Sequence, residues 1–93
     1  MSTTVRIVKT PDVLHGKPRI DGTRVGVFHL GTLVRERERS VEDAAAEFDL
    51  DASQVRAAVE YYDEHPELME TLRAQEEARE QAIQEQSRSA DAT

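Results

Sequence analysis

The feature that most constrains this chain is a pair of short apolar-periodic segments between Ser40 and Glu64, separated by Phe48-Asp49-Leu50. In the first, Val41, Ala44, Ala45 and Phe48 recur at the three- and four-residue spacing that lines one face of an α-helix. Ser40 stands ahead of it as an N-cap, with Asp43 at the capping-box position. In the second, Val55, Ala58, Val59 and Tyr62 form the stripe, Asp51 is the cap and Gln54 reaches back to it. Pro66 opens a third helical segment at its first turn, where a missing N–H costs nothing. Two short helices joined by a tight turn are the layout of a helix-turn-helix. Ala45 is small where the helices would cross. Asp49 falls where the turn asks for a left-handed residue, which Asp tolerates, and Val55 is placed to press on the first helix. The same pattern also suits an αα-hairpin that binds nothing, because a fold does not fix a function.

The N-terminal part reads differently. Val5–Val8, beside Arg6 and Lys9, reads as a strand that Thr10-Pro11-Asp12 breaks. Lys17–Val25 carries Asp21-Gly22 between two short β-prone pieces, a hairpin signal for a type I′ turn with positive φ at both central residues. A helix is predicted from Val27 to about Glu38, with Val27, Leu30 and Val34 on one face and Phe28 and Leu33 flanking it. Gly31 inside it costs about 1 kcal/mol relative to Ala and would let another backbone approach closely. The alternating charges Arg35–Arg39 read as a solvated helix end. After Ala74 the pattern decays, with Ile83 the one large apolar residue left. The expected fold is therefore mainly α: a helix-turn-helix bundle with an N-terminal β-hairpin and a C-terminal extended helix. Residues 1–74 would form the domain and 75–93 an acidic helical or disordered tail, with Gln75–Gln86 frayed or ordered by a partner and Ser87–Thr93 disordered.

Composition narrows the function. The 93 residues make one small domain with 24 large apolar side chains. A chain this short buries roughly 60–65% of its unfolded surface, which excludes a deep two-lobed active site. No apolar run approaches the roughly 18 residues of a membrane span, and Met1–Val8 lacks the apolar core of a secretory signal. The absence of cysteine excludes a disulfide frame, a thiol nucleophile and Cys-ligated zinc, and makes a reducing cytoplasm the expected compartment. His15, His29 and His65 show no metal-ligand spacing, and Gly16-Lys17 lacks the rest of a phosphate-cradling loop. No enzyme, cofactor or metal is expected. Charge is unevenly placed: residues 1–40 carry +4 and residues 41–93 carry −11, within a total of −7. Such asymmetry implies two surfaces with different partners. Only two of the twelve cations are Lys, and with the carboxylate surplus the composition looks haloarchaeal.

One string carries a family resemblance. His15-Gly16-Lys17-Pro18-Arg19-Ile20-Asp21-Gly22-Thr23-Arg24-Val25-Gly26-Val27 resembles the "GKPxIxGTRxxV" signature of the domain-of-unknown-function family 433. Pro11, Ser40–Phe48, Leu50-Asp51, Val55 and Tyr61-Tyr62 also fit that family, so the likeness covers roughly Val5 to Met69. It implies a homeodomain-like fold, an N-terminal β element followed by three or four helices containing the helix-turn-helix. It further implies a VapB-type antitoxin, encoded beside a PIN-like ribonuclease toxin and binding both that toxin and its own operator. This chain departs in one respect: Asp51–Glu64 holds Arg56 against Asp51, Glu60, Asp63 and Glu64, a net of −3.

Candidate contacts can be placed on this layout. Ala52, Ser53, Arg56, Ala57 and Glu60 should face outward from the second helix, with Gln54 near the cap. Ser53, Gln54 and Arg56 suit base reading in a major groove. Phosphate contacts would come from Lys17, Arg19, Arg35, Arg37 and Arg39. Arg56 could instead pair with Glu60 at i,i+4 spacing, worth a few tenths of a kcal/mol. Arg24 is expected to lock the hairpin to a helix through a carboxylate rather than to touch phosphate. Leu68, Met69 and Leu72 need a cover, and are assigned to a partner: the acidic Glu67–Glu85 stretch would wrap a basic nuclease, unless its charge is simply a solvated halophilic face. Free strand edges invite a second copy, so a homodimer is expected. The reading is an antitoxin that binds a PIN-like ribonuclease and operator DNA. The alternatives are a stand-alone helix-turn-helix regulator and a dimerisation module without DNA contact.

Overall fold

A computed structural model describes residues 5–91, with side chains as far as residue 83. The first four residues of the Met1–Val8 stretch and the last two of the expected tail lie outside the described residues. The elements are β1 (Ile7–Val8), β2 (Arg19–Ile20), α1 (Val27–Arg35), α2 (Val41–Phe48), α3 (Ala52–Glu64) and α4 (Pro66–Asp91).

The expected hairpin closes in another way. β1 pairs antiparallel with β2, Ile7 opposite Ile20 and Val8 opposite Arg19. The two strands are thus joined by the long connection of residues 9–18. The Asp21-Gly22 turn does reverse the chain, with the Thr23 N–H donating to the Ile20 carbonyl at 3.0 Å, but it closes only a single bridge between Arg19 and Gly26. Gly22 has φ 82 while Asp21 keeps a negative φ. That is the pattern of a type II turn, not type I′. No second strand has room to form beyond the turn, because the chain enters α1 at once, its first N–H (Val27) donating to the Pro18 carbonyl at 3.0 Å.

Inside the connection, Leu14, His15 and Gly16 are left-handed in succession, with φ 51, 55 and 79. Such a conformation costs an L-residue roughly 1–2 kcal/mol. It is held by hydrogen bonds from the Gly16 N–H to the Val13 carbonyl and from the Lys17 N–H to the Leu14 carbonyl, both 3.1 Å.

α1 ends at Arg35, three residues before the expected Glu38, which is itself left-handed at φ 56. The Arg39 N–H then bonds the Leu33 carbonyl at 3.0 Å and turns the chain toward α2. Val27, Leu30 and Leu33 are buried and Val34 is half-buried, so the inward face is rotated toward Leu33. Gly31 admits a side chain rather than a backbone: a Cβ there would lie 2.1–2.7 Å from the Cδ2, Cγ and Cβ of Tyr62.

The α2–α3 pair forms as its pattern predicts. Ser40 Oγ accepts from the Asp43 N–H at 3.0 Å, Asp49 is left-handed at φ 55 and ψ 48, and Gln54 Oε1 accepts from the Asp51 N–H at 2.8 Å. Val55 and Ala58 are fully buried and Ala44 is too. α3 packs chiefly against α1 and next against α2. Ile20, Val27, Leu30 and Val55 are the largest fully buried side chains, so the core is a seam between the hairpin, α1 and α3.

Two expectations fail at α4. Met69 and Leu72, assigned to a partner, are 3% and 5% exposed and belong to the chain's own core, while Leu68 is half-buried against it. The cover they need is the α1–α3 seam. The helix also runs unbroken through residue 74 and on to Asp91, into the stretch expected to be disordered. Ala, Glu, Gln and Arg are strong helix formers, and a helix already nucleated by a packed first half extends at little cost. Arg73 clamps that first half: Nη2 donates to Tyr62 Oη at 2.8 Å and pairs with Glu36 Oε1 at 2.9 Å, and its guanidinium lies 5.8 Å over the Phe28 ring. Glu76 then meets Lys17 at 3.8 Å. Beyond it the helix is exposed as far as side chains are described, which gives the molecule its 61 × 28 × 24 Å shape. No helix among the described residues is long and apolar enough to cross a membrane.

Candidate nucleic-acid interface

The outer flank of α3 is set by what its inner face buries. Val55, Ala58 and Val59 point into the core, so Ser53, Arg56 and Glu60 are left exposed on the opposite side. Arg56 makes no ion pair with Glu60 or any other carboxylate among the described residues. Gln54 is half-buried, its carbonyl oxygen used by the Asp51 N–H, which leaves only its amide NH₂ to donate outward.

The other expected cations are engaged to different degrees. Arg19 is structural: Nη1 donates to the Thr23 carbonyl and Nη2 to Thr10 Oγ1, both at 2.9 Å. It ties β2 to the connection before it and to the turn after it, whereas the carboxylate lock to a helix expected of Arg24 does not form: Arg24 is exposed and has no carboxylate partner among the described residues. Arg35 makes a two-pronged bond to Asp63 of α3, with Nε donating to Oδ1 at 3.1 Å. That hydrogen bond, and then the carboxylate charge, raises the guanidinium pKa above its usual value. Arg39 pairs with Glu47 at 3.0 Å and Lys17 with Glu76. These surface pairs are worth roughly 0–1 kcal/mol each and exchange readily for a phosphate. Arg37 is exposed, with no ion pair among the described residues.

Folding adds one residue that the sequence did not mark. Arg6 precedes β1, where the Asp21 N–H donates to its carbonyl at 2.9 Å. It lines a shallow cleft of about 160 Å³ with Asp21, Asp51, Ser53 and Gln54, beside the start of α3. Only the β1–β2 pairing brings it there, so no local motif could have found it. The flank as a whole carries Arg6 and Arg56 against Asp21, Asp51 and Glu60, while Asp63 is neutralised by Arg35. A surface without excess positive charge gains little from counterion release, so contacts to base edges and groove shape would have to supply its affinity. Among the described residues no three His, Asp or Glu gather in a way that could hold a metal ion.

The fold and this surface define a class: a small, mainly helical protein in which a two-stranded antiparallel hairpin braces a helix-turn-helix pair. Residues 7–62 match the model of the family described as "Protein of unknown function (DUF433)", and the chain belongs to that family. The match ends within α3, so α4 lies outside it. No curated protein and no solved structure matches the chain.

Proposed function

We propose that this chain is the antitoxin of a toxin–antitoxin pair, working in a saline cytoplasm and without enzymatic activity of its own. The α2–α3 unit docks on operator DNA, and the acidic outer half of α4 holds a basic, PIN-like ribonuclease. The observation that carries the reading is the clear outer flank of α3, with Ser53 and Arg56 exposed on a helix whose opposite face is locked in the core. Arg56 suits guanine and the Gln54 amide the acceptors on a base edge. In this reading Arg6, Arg37 and the exchangeable Lys17, Arg35 and Arg39 would supply phosphate contacts. Glu76, Glu77 and Glu80 stand exposed on the projecting helix, a surface that suits a cationic active-site rim.

The test is co-expression with the product of the adjacent open reading frame. A stable complex and rescue of growth are expected. Neither a complex nor rescue would remove the antitoxin reading. A stand-alone helix-turn-helix regulator is the second reading, favoured by one observation: Met69 and Leu72 are consumed by the chain's own core, which leaves Ile83 as the one exposed large apolar anchor described on α4. A gel shift at high salt with Arg56→Ala as control separates the two. Operator binding without a toxin neighbour supports the regulator.

A further inference from the structure

The Gly22-Thr23-Arg24 string holds its third residue still. Gly22 takes the left-handed position of the turn at φ 82, and the space where its Cβ would stand is open. Thr23 staples the reversal. Its N–H and its Oγ1 both donate to the Ile20 carbonyl, at 3.0 and 2.8 Å, and Oγ1 accepts from the Val25 N–H at 3.1 Å. Arg19 Nη1 donates to the Thr23 carbonyl, and the Ile20 N–H to the Val25 carbonyl. The residues on both sides of Arg24 are thus fixed by hydrogen bonds. The Arg24 side chain is exposed and makes no ion pair among the described residues. The turn uses its glycine and its threonine, but not its arginine. A cation on so rigid a turn has already lost the backbone entropy that binding would otherwise cost.

Strand register shows what lies beside it. Ile7 stands opposite Ile20, and Ile20 bonds to Val25, so three extended limbs run side by side. Arg6, Asp21 and Arg24 each lie one residue beyond that row, at the same end of the hairpin. This end abuts the start of α3, because Arg6 and Asp21 share a cleft with Asp51, Ser53 and Gln54. Arg6 is exposed too, and neither it nor Asp21 forms an ion pair among the described residues. The hairpin end therefore presents two uncommitted cations around one carboxylate.

We propose that Arg24 grips a phosphate of duplex DNA, on the strand that borders the major groove occupied by α3. The contact rests on the operator-docking reading of α3 and adds to it a residue from outside the helix-turn-helix. A major groove is about 12 Å wide and a helix with its side chains about 10–12 Å across, so an element beside the start of a docked helix lies over the bordering phosphates. The hairpin end is that element. A guanidinium offers two parallel N–H donors to two phosphate oxygens, which an ammonium cannot match. The contact carries no sequence information. It sets how α3 sits in the groove, while Ser53, Gln54 and Arg56 face the base edges.

The test is binding across a salt series to two duplexes, one from upstream of the chain's own reading frame and one of mixed sequence. The full chain is compared with Arg24→Gln and Arg24→Lys, and a thermal melt of each variant reads its stability. Arg24→Gln is expected to bind both duplexes roughly tenfold more weakly, the loss of one charged hydrogen-bonded contact. The slope of log affinity against log salt should fall in magnitude by about 0.9, with the thermal midpoint unchanged. Arg24→Lys should keep the slope and lose part of the affinity. A parent chain that binds neither duplex overturns this contact and the operator reading together. A parent that binds, with Arg24→Gln equal to it in affinity and slope, overturns the contact alone. So does an affinity loss that comes with a lowered thermal midpoint and an unchanged slope.

Discussion

The hairpin–α1–α2–α3 core and the outer half of α4 are both regular structure, yet they are regular for different reasons. In the core each helix buries a stripe: Leu30 of α1, Ala44 of α2 and Val55 of α3 have no exposed surface. In the outer half of α4 every residue from Ala74 to Ile83 is exposed, and the helix persists on backbone hydrogen bonds and residue propensity alone. A helix held by packing is tied to its neighbours and resists opening. A helix held by propensity opens locally at low cost and is free to be covered by something else.

This contrast breaks first at the core. Leu30→Ala should cost about 3 kcal/mol by deleting a fully buried side chain at the α1–α3 seam, a large share of what so small a domain has. Urea denaturation measures it, and a loss under 1 kcal/mol would mean the seam is not where stability resides. Gly31→Ala comes next. Alanine improves helix propensity by about 1 kcal/mol, but its methyl meets the root of the Tyr62 side chain at 2.3 and 2.7 Å, where rotation cannot relieve it. Overpacking should win, with a net loss of about 1–2 kcal/mol and a lower thermal midpoint. A rise in the midpoint would show that α1 and α3 are looser than their packing implies.

Ser40→Ala should remove the bond to the Asp43 N–H and cost about 1 kcal/mol, readable in the same denaturation curve. The smallest effect sharpens the contrast most. Ending the chain after Glu77 keeps the Arg73 clamp and the Lys17–Glu76 contact, and should shift the stability of the core by less than about 0.5 kcal/mol. Hydrogen exchange on the full chain should agree, with amides past residue 77 exchanging far faster than those of Leu30 and Val55. A truncation penalty above 1 kcal/mol would place the arm within the core's cooperative unit.

Legibility in the sequence divides along the same line. The α2–α3 pair was readable because caps, turn residue and apolar stripe are local signals, and Ser40, Asp49, Asp51 and Gln54 do in the fold what their chemistry implies. Ser53 and Arg56 were readable as outward residues because helical periodicity fixes which side is free once Val55 and Val59 are assigned inward. The partners of long side chains were not readable. Nothing near Arg19 in the sequence favours it over Arg24 as the lock of the hairpin, and Arg73 clamping Phe28, Tyr62 and Glu36 together depends on three helices meeting. An apolar residue such as Met69 announces that it wants cover, but not whether the cover is its own chain or another.

By itself, then, the order of residues determined where helices begin and end around the α2–α3 turn, which faces are apolar, and how unevenly charge is distributed, because all three depend on neighbours within a turn or two. Tertiary structure alone decided that β2 pairs with β1 across a long connection, that Gly31 is a seat for Tyr62, that Met69 and Leu72 close the core, and that Arg6 stands beside Ser53. Those outcomes depend on which distant surfaces meet, and that is settled by the free energy of burying them together rather than by any local preference of the chain.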